Sequence, residues 1–152
     1  VRLAQVNVAR LRWDLGSPHL AGFEAAVDGV NLLAEASPGF VWRLRAAHGP
    51  VPVADGDARL VVNVSVWQTY EHLHAFVYRS RHGGLVRRRA SWFEPTPSPY
   101  VALWWVADGA EPTMGDALRR LDHLRRYGPA PQSFGVRRRF TPDGRPVPPR
   151  RS

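Results

Sequence analysis

The stretch Leu60–Trp92, LVVNVSVWQTYEHLHAFVYRSRHGGLVRRRASW, decides the fold. Its first eight residues alternate, so that Val61, Asn63, Ser65 and Trp67 share one face of a Val-rich strand. A helix follows from about Thr69 to Arg81. Tyr70, Leu73, Phe76 and Val77 supply its core stripe, and Glu71 in the first turn suits the helix dipole. Gly83-Gly84 breaks it. Leu85 to Glu94 reads as a further turn or two of helix, ended by Pro95, Pro97 and Pro99.

On the N-terminal side, residues 3–9 (LAQVNVA) alternate and read as a strand. Ser17 as cap and Pro18 at the first helical position open a helix, with Leu20, Phe23, Val27 and Val30 at helical spacing. Ser37-Pro38-Gly39 stops it. Phe40–Arg45 reads as a second strand with Phe40, Trp42 and Leu44 on one side, and residues 48–57 as a loop. On the C-terminal side, Tyr100–Val106 is a strand with two apolar faces: Val101, Leu103 and Trp105 on one, Tyr100, Ala102, Trp104 and Val106 on the other. Thr113 caps a last helix with the stripe Met114, Leu118, Leu121 and Leu124. Ser133–Val136 reads as a short final strand.

The order β-α-β-β-α-β with an appended helix predicts an α+β domain. Its sheet is expected to be the ferredoxin-like antiparallel one with helices on one face and an extra C-terminal helix. Helices on one face leave the other apolar face bare, and a second copy of the sheet is the economical cover, which predicts a homodimer.

Composition bounds the rest. The 152 residues suit one domain, 44% are hydrophobic, and six are Trp, which is enough apolar mass for a core. The domain is expected to span 1–136, and 137–152 reads as an Arg/Pro-rich tail expected to be disordered. With no cysteine, disulfides, thiolate metal sites and a Cys nucleophile are excluded, and a reducing cytoplasm fits. No run is long and apolar enough to cross a bilayer. No signal peptide opens the chain, and the absent Met points to a trimmed start. The net charge of +8 comes wholly from Arg, with no Lys. Six of these cations sit in the tail among prolines, which argues against a nucleic-acid groove.

Several side chains are candidates for chemistry. Asn63 on a Val-rich strand either bonds its neighbours or lines a cavity and binds a substrate oxygen. Glu71, His74, Tyr78 and His82 form a second helical stripe at roughly four-residue steps. That stripe is either a wet face or a set of proton-transfer groups. His72 and His74 face apart and make no metal pair, and no carboxylate cluster joins them, so no metal or other cofactor is expected. Of the run Arg87-Arg88-Arg89, the count of 100° per residue puts Arg89 within the apolar arc, where a guanidinium needs an anion.

The segments Ala36–Arg43, Ala75–Ser80, His82, Arg87–Arg89 with Trp92-Phe93, and Leu103–Val106 resemble a bacterial family of unestablished function. That family lies within the dimeric α+β barrel superfamily, which includes antibiotic-biosynthesis and heme-degrading monooxygenases. The cofactor-free monooxygenases of polyketide pathways carry a strand Asn, a Trp four residues on, and an Arg in the next helical region. Asn63 and Trp67 match that spacing, and Arg87 falls at the Arg position. A helical Tyr of those enzymes corresponds to Leu73, so Tyr70 or Tyr78 would have to fill its role. The heme-degrading branch is similar in having Asn7, but its axial His corresponds to Val86.

The resemblance implies a cofactor-independent monooxygenase, or a related cyclase or isomerase, acting on an aromatic or polyketide-like small molecule. Catalytic roles would fall to Asn63, His82, Arg87, Arg89 and Tyr78, and substrate contacts to Trp42, Trp67, His74 and Trp92. The rival expectations are a non-catalytic small-ligand-binding or stress-associated dimer and a heme-binding or heme-degrading protein.

Overall fold

Strands that alternate apolar residues on both faces need cover on both faces. The structure, a computed structural model, describes residues 1–149 and supplies both covers from the one chain. Its elements are β1 (Arg2–Arg10), a 3-10 turn (Pro18–Leu20), α1 (Phe23–Glu35), β2 (Phe40–Arg43), β3 (Val53–Ala54) and β4 (Asp57–Trp67). Then come α2 (Tyr70–Ser80), α3 (Gly84–Arg87), α4 (Arg89–Trp92), β5 (Val101–Val106) and α5 (Met114–Tyr127). The antiparallel sheet runs β2-β4-β1-β5, with β3 also beside β4. At its centre β1 pairs with β4 from Leu3 opposite Trp67 to Arg10 opposite Leu60.

The even-numbered residues of the central strands form a dry layer. Ala4, Val6, Val8, Val62, Val64, Val66, Ala102 and Trp104 are buried there against Ala117, Leu121 and Leu124 of α5. This corrects the expectation of helices on one face. The appended helix lies across the second face, because its apolar stripe needs burial as much as the sheet does. The bare surface that argued for a second copy is therefore covered within the chain.

The odd-numbered face carries the other helices. One apolar cluster gathers Leu3, Trp67 and Leu103 with Ala34 of α1 and Tyr70 and Leu73 of α2. Another gathers Leu11 with Phe23 and Val27 of α1 and Trp92 of α4.

Local chemistry explains where boundaries moved. The Ser17 hydroxyl accepts from the His19 N–H, but it caps only the short 3-10 turn. Gly22, at φ +85°, breaks the chain before α1 starts at Phe23. A bulge between Phe40 and Trp42 puts Phe40 opposite Trp67 and Trp42 opposite Val66. Phe40 and Trp42 consequently join opposite faces rather than sharing one. The expected final strand at 133–136 reduces to isolated bridges: Ser133 pairs with Ala130, and Leu103 and Phe134 exchange both backbone hydrogen bonds.

The seam between β2 and α2 is tight. Gly39 sits at φ +81°, and a Cβ there would stand 2.1 Å from the His72 ring, so only glycine fits. The Thr69 hydroxyl accepts from the His72 N–H at 3.2 Å and caps α2 over that contact.

Residues 137–149, expected to be disordered, fold back onto the sheet. The Trp105 indole N–H donates to the Phe140 carbonyl at 2.8 Å. The Val147 N–H donates to Arg139 and the Thr141 N–H to Arg145, each at 2.8 Å, closing a small hairpin. A half-buried indole N–H needs an acceptor, and Phe140 gains burial, which together outweigh the proline content. Arg150, Arg151 and Ser152, the rest of that expected tail, lie outside the described residues. Among the described residues no helix is long and apolar enough to cross a membrane.

Candidate functional site

On the helix-covered face, β1 and β4 present four cross-strand pairs in succession: Leu3 with Trp67, Gln5 with Ser65, Asn7 with Asn63, and Ala9 with Val61. The first pair belongs to the cluster under α2 and the last to the cluster under α1 and α4. Between them lie four polar side chains on an otherwise apolar surface.

These four bond chiefly to one another. Gln5 Nε2 donates to Asn63 Oδ1 at 2.7 Å and to Ser65 Oγ at 2.8 Å. Asn7 Nδ2 donates to Gln5 Oε1 at 3.1 Å and to Asn63 Oδ1 at 3.2 Å. The Trp67 indole N–H donates to Ser65 Oγ at 2.9 Å. Gln5, only 5% exposed, is the hub, and its amide is fully used. A buried amide left unpaired would cost about 1–3 kcal/mol, which the mutual bonding avoids. The row ends at its half-buried pair: among the described residues, Asn63 Nδ2 and Asn7 Oδ1 have no partner. One donor and one acceptor thus remain at the half-buried end of the row.

Arg43 of β2 stands opposite Ser65 and so belongs to the same face. Its side chain is only 17% exposed, and its Nε donates to Glu35 Oε1 at 2.7 Å. That hydrogen bond is the main reason the Glu35 carboxyl sits below the usual carboxylate range. Desolvation opposes it, and the charges of Arg43 and Arg45 add to it. An open groove of about 350 Å³ follows this edge, lined by Phe40, Val41, Trp42, Arg43 and Arg45. The sequence reading put Ser65 on the face of Asn63 but missed Gln5 as the hub that bonds them and Arg43 on the same face; the signal for Gln5 was present in the polar odd positions of β1.

The other expected site residues are dispersed. Trp67 has no exposed surface; it stacks on Phe76 at 5.0 Å and meets Phe40 edge-on at 5.5 Å. Trp92 is buried edge-on to Phe23, with the Arg88 guanidinium over its ring, and its indole N–H has no partner among the described residues. Trp42 lies on the α5 side of the sheet, a consequence of the bulge. His74, Tyr78 and His82 are exposed, because α2 turns Tyr70, Leu73 and Phe76 toward the core. Tyr78 is 59% exposed and stacks under Arg81 at 3.3 Å.

Arg87, Arg88 and Arg89 are likewise exposed, and Arg89 lies over the Tyr100 ring at 5.0 Å. The angular count that buried Arg89 fails because Arg88, at φ −103° and ψ 15°, separates two four-residue helices. Among the described residues no group of three or more His, Asp or Glu could hold a metal ion.

The fold and the row define a class: an antiparallel α+β domain with a self-bonded amide row beneath its helices. Residues 2–150 match the family described as a domain of unknown function (DUF3291), and the chain belongs to that family. No curated protein matches it. Two solved structures are similar in part. The crystal structure of NE2512, a protein of unknown function from Nitrosomonas europaea, is 14% identical with a TM-score of 0.47, over 74% of this chain and 95% of that one. PA3566 from Pseudomonas aeruginosa is 12% identical with a TM-score of 0.41, over 72% and 95%.

Proposed function

We propose that the protein is a small-molecule enzyme, a cofactor-independent monooxygenase or a related cyclase or isomerase, whose substrate is an oxygenated aromatic or polyketide-like molecule. The observation that carries this reading is the unpaired donor and acceptor at the half-buried end of the amide row. Asn63 Nδ2 would donate to a phenolate or ketone oxygen, and Asn7 Oδ1 would accept from a neighbouring hydroxyl. A fixed donor aimed at developing negative charge favours the anion. As a monooxygenase, the enzyme would place one atom of O2 in the ring as a quinone oxygen and release the other as water, with the phenol supplying all four electrons. The reading assigns the departing proton to solvent at the open end of the row, since His74, Tyr78 and His82 are exposed.

The strand order β5-β1-β4-β2 supports the finer description of the sheet as ferredoxin-like. A homodimer belongs to the same reading, but along the open β2 edge, where Val41 is exposed, rather than on the face that α5 covers. A cytoplasmic location accords with the absence of cysteine.

A second reading, a non-catalytic ligand binder, is favoured by one observation: none of the row's partners is a titratable group. Titration with hydroxylated naphthols and naphthoquinones, followed by tryptophan fluorescence and by O2 uptake, separates the two. Asn63→Ala should abolish both signals; it also leaves a buried Gln5 donor without its acceptor, so a stability loss of about 1–3 kcal/mol is expected and the variant is compared under conditions where it is fully folded. Saturable binding without O2 consumption or any product transfers the case to the binder. Undiminished binding and turnover in Asn63→Ala overturns the site itself.

A further inference from the structure

We infer that the cavity beneath the C-terminal hairpin is a binding site for a single-ring aromatic carboxylate, with Arg139 as its anion partner. This does not rest on the reading of the amide row. The cavity measures about 190 Å³, and its lining includes Tyr70, Glu71, Trp105, Phe134, Arg139 and Phe140. An apolar cavity of about 150 Å³ takes up benzene, so this one admits one ring with a small substituent. Four of those six residues are aromatic, which suits offset or edge-on packing around a planar guest.

Arg139 supplies the charge. Its guanidinium carbon lies 3.6 Å from the centre of the Tyr70 ring, so stacking occupies a face of the fork and leaves its N–H edge available. Among the described residues no carboxylate pairs with it. A planar guanidinium edge beside an aromatic cavity matches a carboxylate held in the plane of a ring. The site is held together by the chain itself. The Trp105 indole holds the Phe140 carbonyl, and the Val147 N–H holds the carbonyl of Arg139. Those bonds fix the residue that carries the charge against the strand that supplies the cavity wall. Glu71 lines the same cavity and opposes an anion, so the ligand carboxylate lies on the Arg139 side.

Benzoate and its neutral counterpart benzamide are the probes, read by calorimetry, tryptophan fluorescence and the ligand-induced rise in Tm. Benzoate should bind the full chain saturably. Arg139→Gln should weaken benzoate about tenfold or more and leave benzamide nearly unchanged. Glu71→Gln should tighten benzoate by a few fold by removing a like charge. Asn63→Ala should bind benzoate as the parent does, which separates this site from the amide row. No saturable benzoate binding at millimolar concentration overturns the proposal, as does equal benzoate affinity in Arg139→Gln. Should Arg139→Gln fail to fold, the Glu71→Gln comparison decides, and unchanged benzoate affinity there counts against the site.

Discussion

The two faces of the sheet are made by the same strands and differ in kind. Toward α5, every central position is Ala, Val or Trp and nothing polar interrupts the layer. Toward α1 and α2, the middle of the sheet gives four positions to Gln5, Asn7, Asn63 and Ser65, which can be buried only by bonding to one another. A dry layer needs only shape and volume, whereas a polar row constrains the donor and acceptor at every position. Sequence tolerance, stability and chemistry should therefore divide between the faces, with stability resting on the α5 side and recognition on the other.

Substitutions can test that division. The largest effect is expected on the dry face. Trp104→Ala removes a nearly fully buried ring packed beside α5 and should cost about 3–5 kcal/mol in urea denaturation. A loss comparable to a surface substitution would show that α5 does not seal this face. Next comes the hub of the polar row. Gln5→Ala withdraws two donated bonds and one accepted bond at a site that is 5% exposed, and should cost about 1–3 kcal/mol. If it proves neutral, water replaces the amide and the row is not a closed network.

The smallest effect is expected at the rim, where Arg43 holds Glu35. The Glu35 carboxyl titrates below its ordinary range in the folded chain, so its stabilisation is present in full at neutral pH. It is lost as pH falls through the lowered folded value. Glu35→Gln should lower the melting temperature slightly near neutrality, and the difference from the parent should vanish in acid. A difference that grows toward acid would reverse the sign and remove the pair from the account. Asp57, held low by its hydrogen bond from Arg10, contributes in the same direction and survives in that variant as an internal reference.

What could be read in advance follows from the range of the forces involved. Alternation in Leu60–Trp67 put Asn63, Ser65 and Trp67 on one face, and the same period in residues 3–9 produced β1, because side-chain direction in a strand is a local property. Of the expected stripe Tyr70, Leu73, Phe76 and Val77, the first three gave the core side of α2, whereas Val77 is exposed. Register is not local. Nothing in either strand alone says that Gln5 stands opposite Ser65, so the partners of Asn63 could not be named beforehand. The bulge at Phe40–Trp42 moved one Trp to the far face through a single extra residue. The turn at Arg88 defeated a helical count that assumed one continuous helix. The hairpin after Arg137 was hidden behind its proline content, because the acceptor it offers Trp105 is a backbone carbonyl that composition does not display.

The wiring of the amide row also fixes a direction. Asn63 Oδ1 already accepts two bonds, and Gln5 Oε1 and Ser65 Oγ are engaged as well. Turning any one amide over would set donor against donor or acceptor against acceptor, so the amides can reverse only together. As the amides stand, the row ends in a donor at Asn63 and an acceptor at Asn7; the concerted reversal would exchange the two. If the row binds a guest as proposed, this arrangement would call for an acceptor and then a donor, and a keto form and its enol do not offer the same pair at the same two atoms. On the proposed reading, a row held in one sense would favour one tautomer of its ligand over another, a preference that neither size nor charge alone would give.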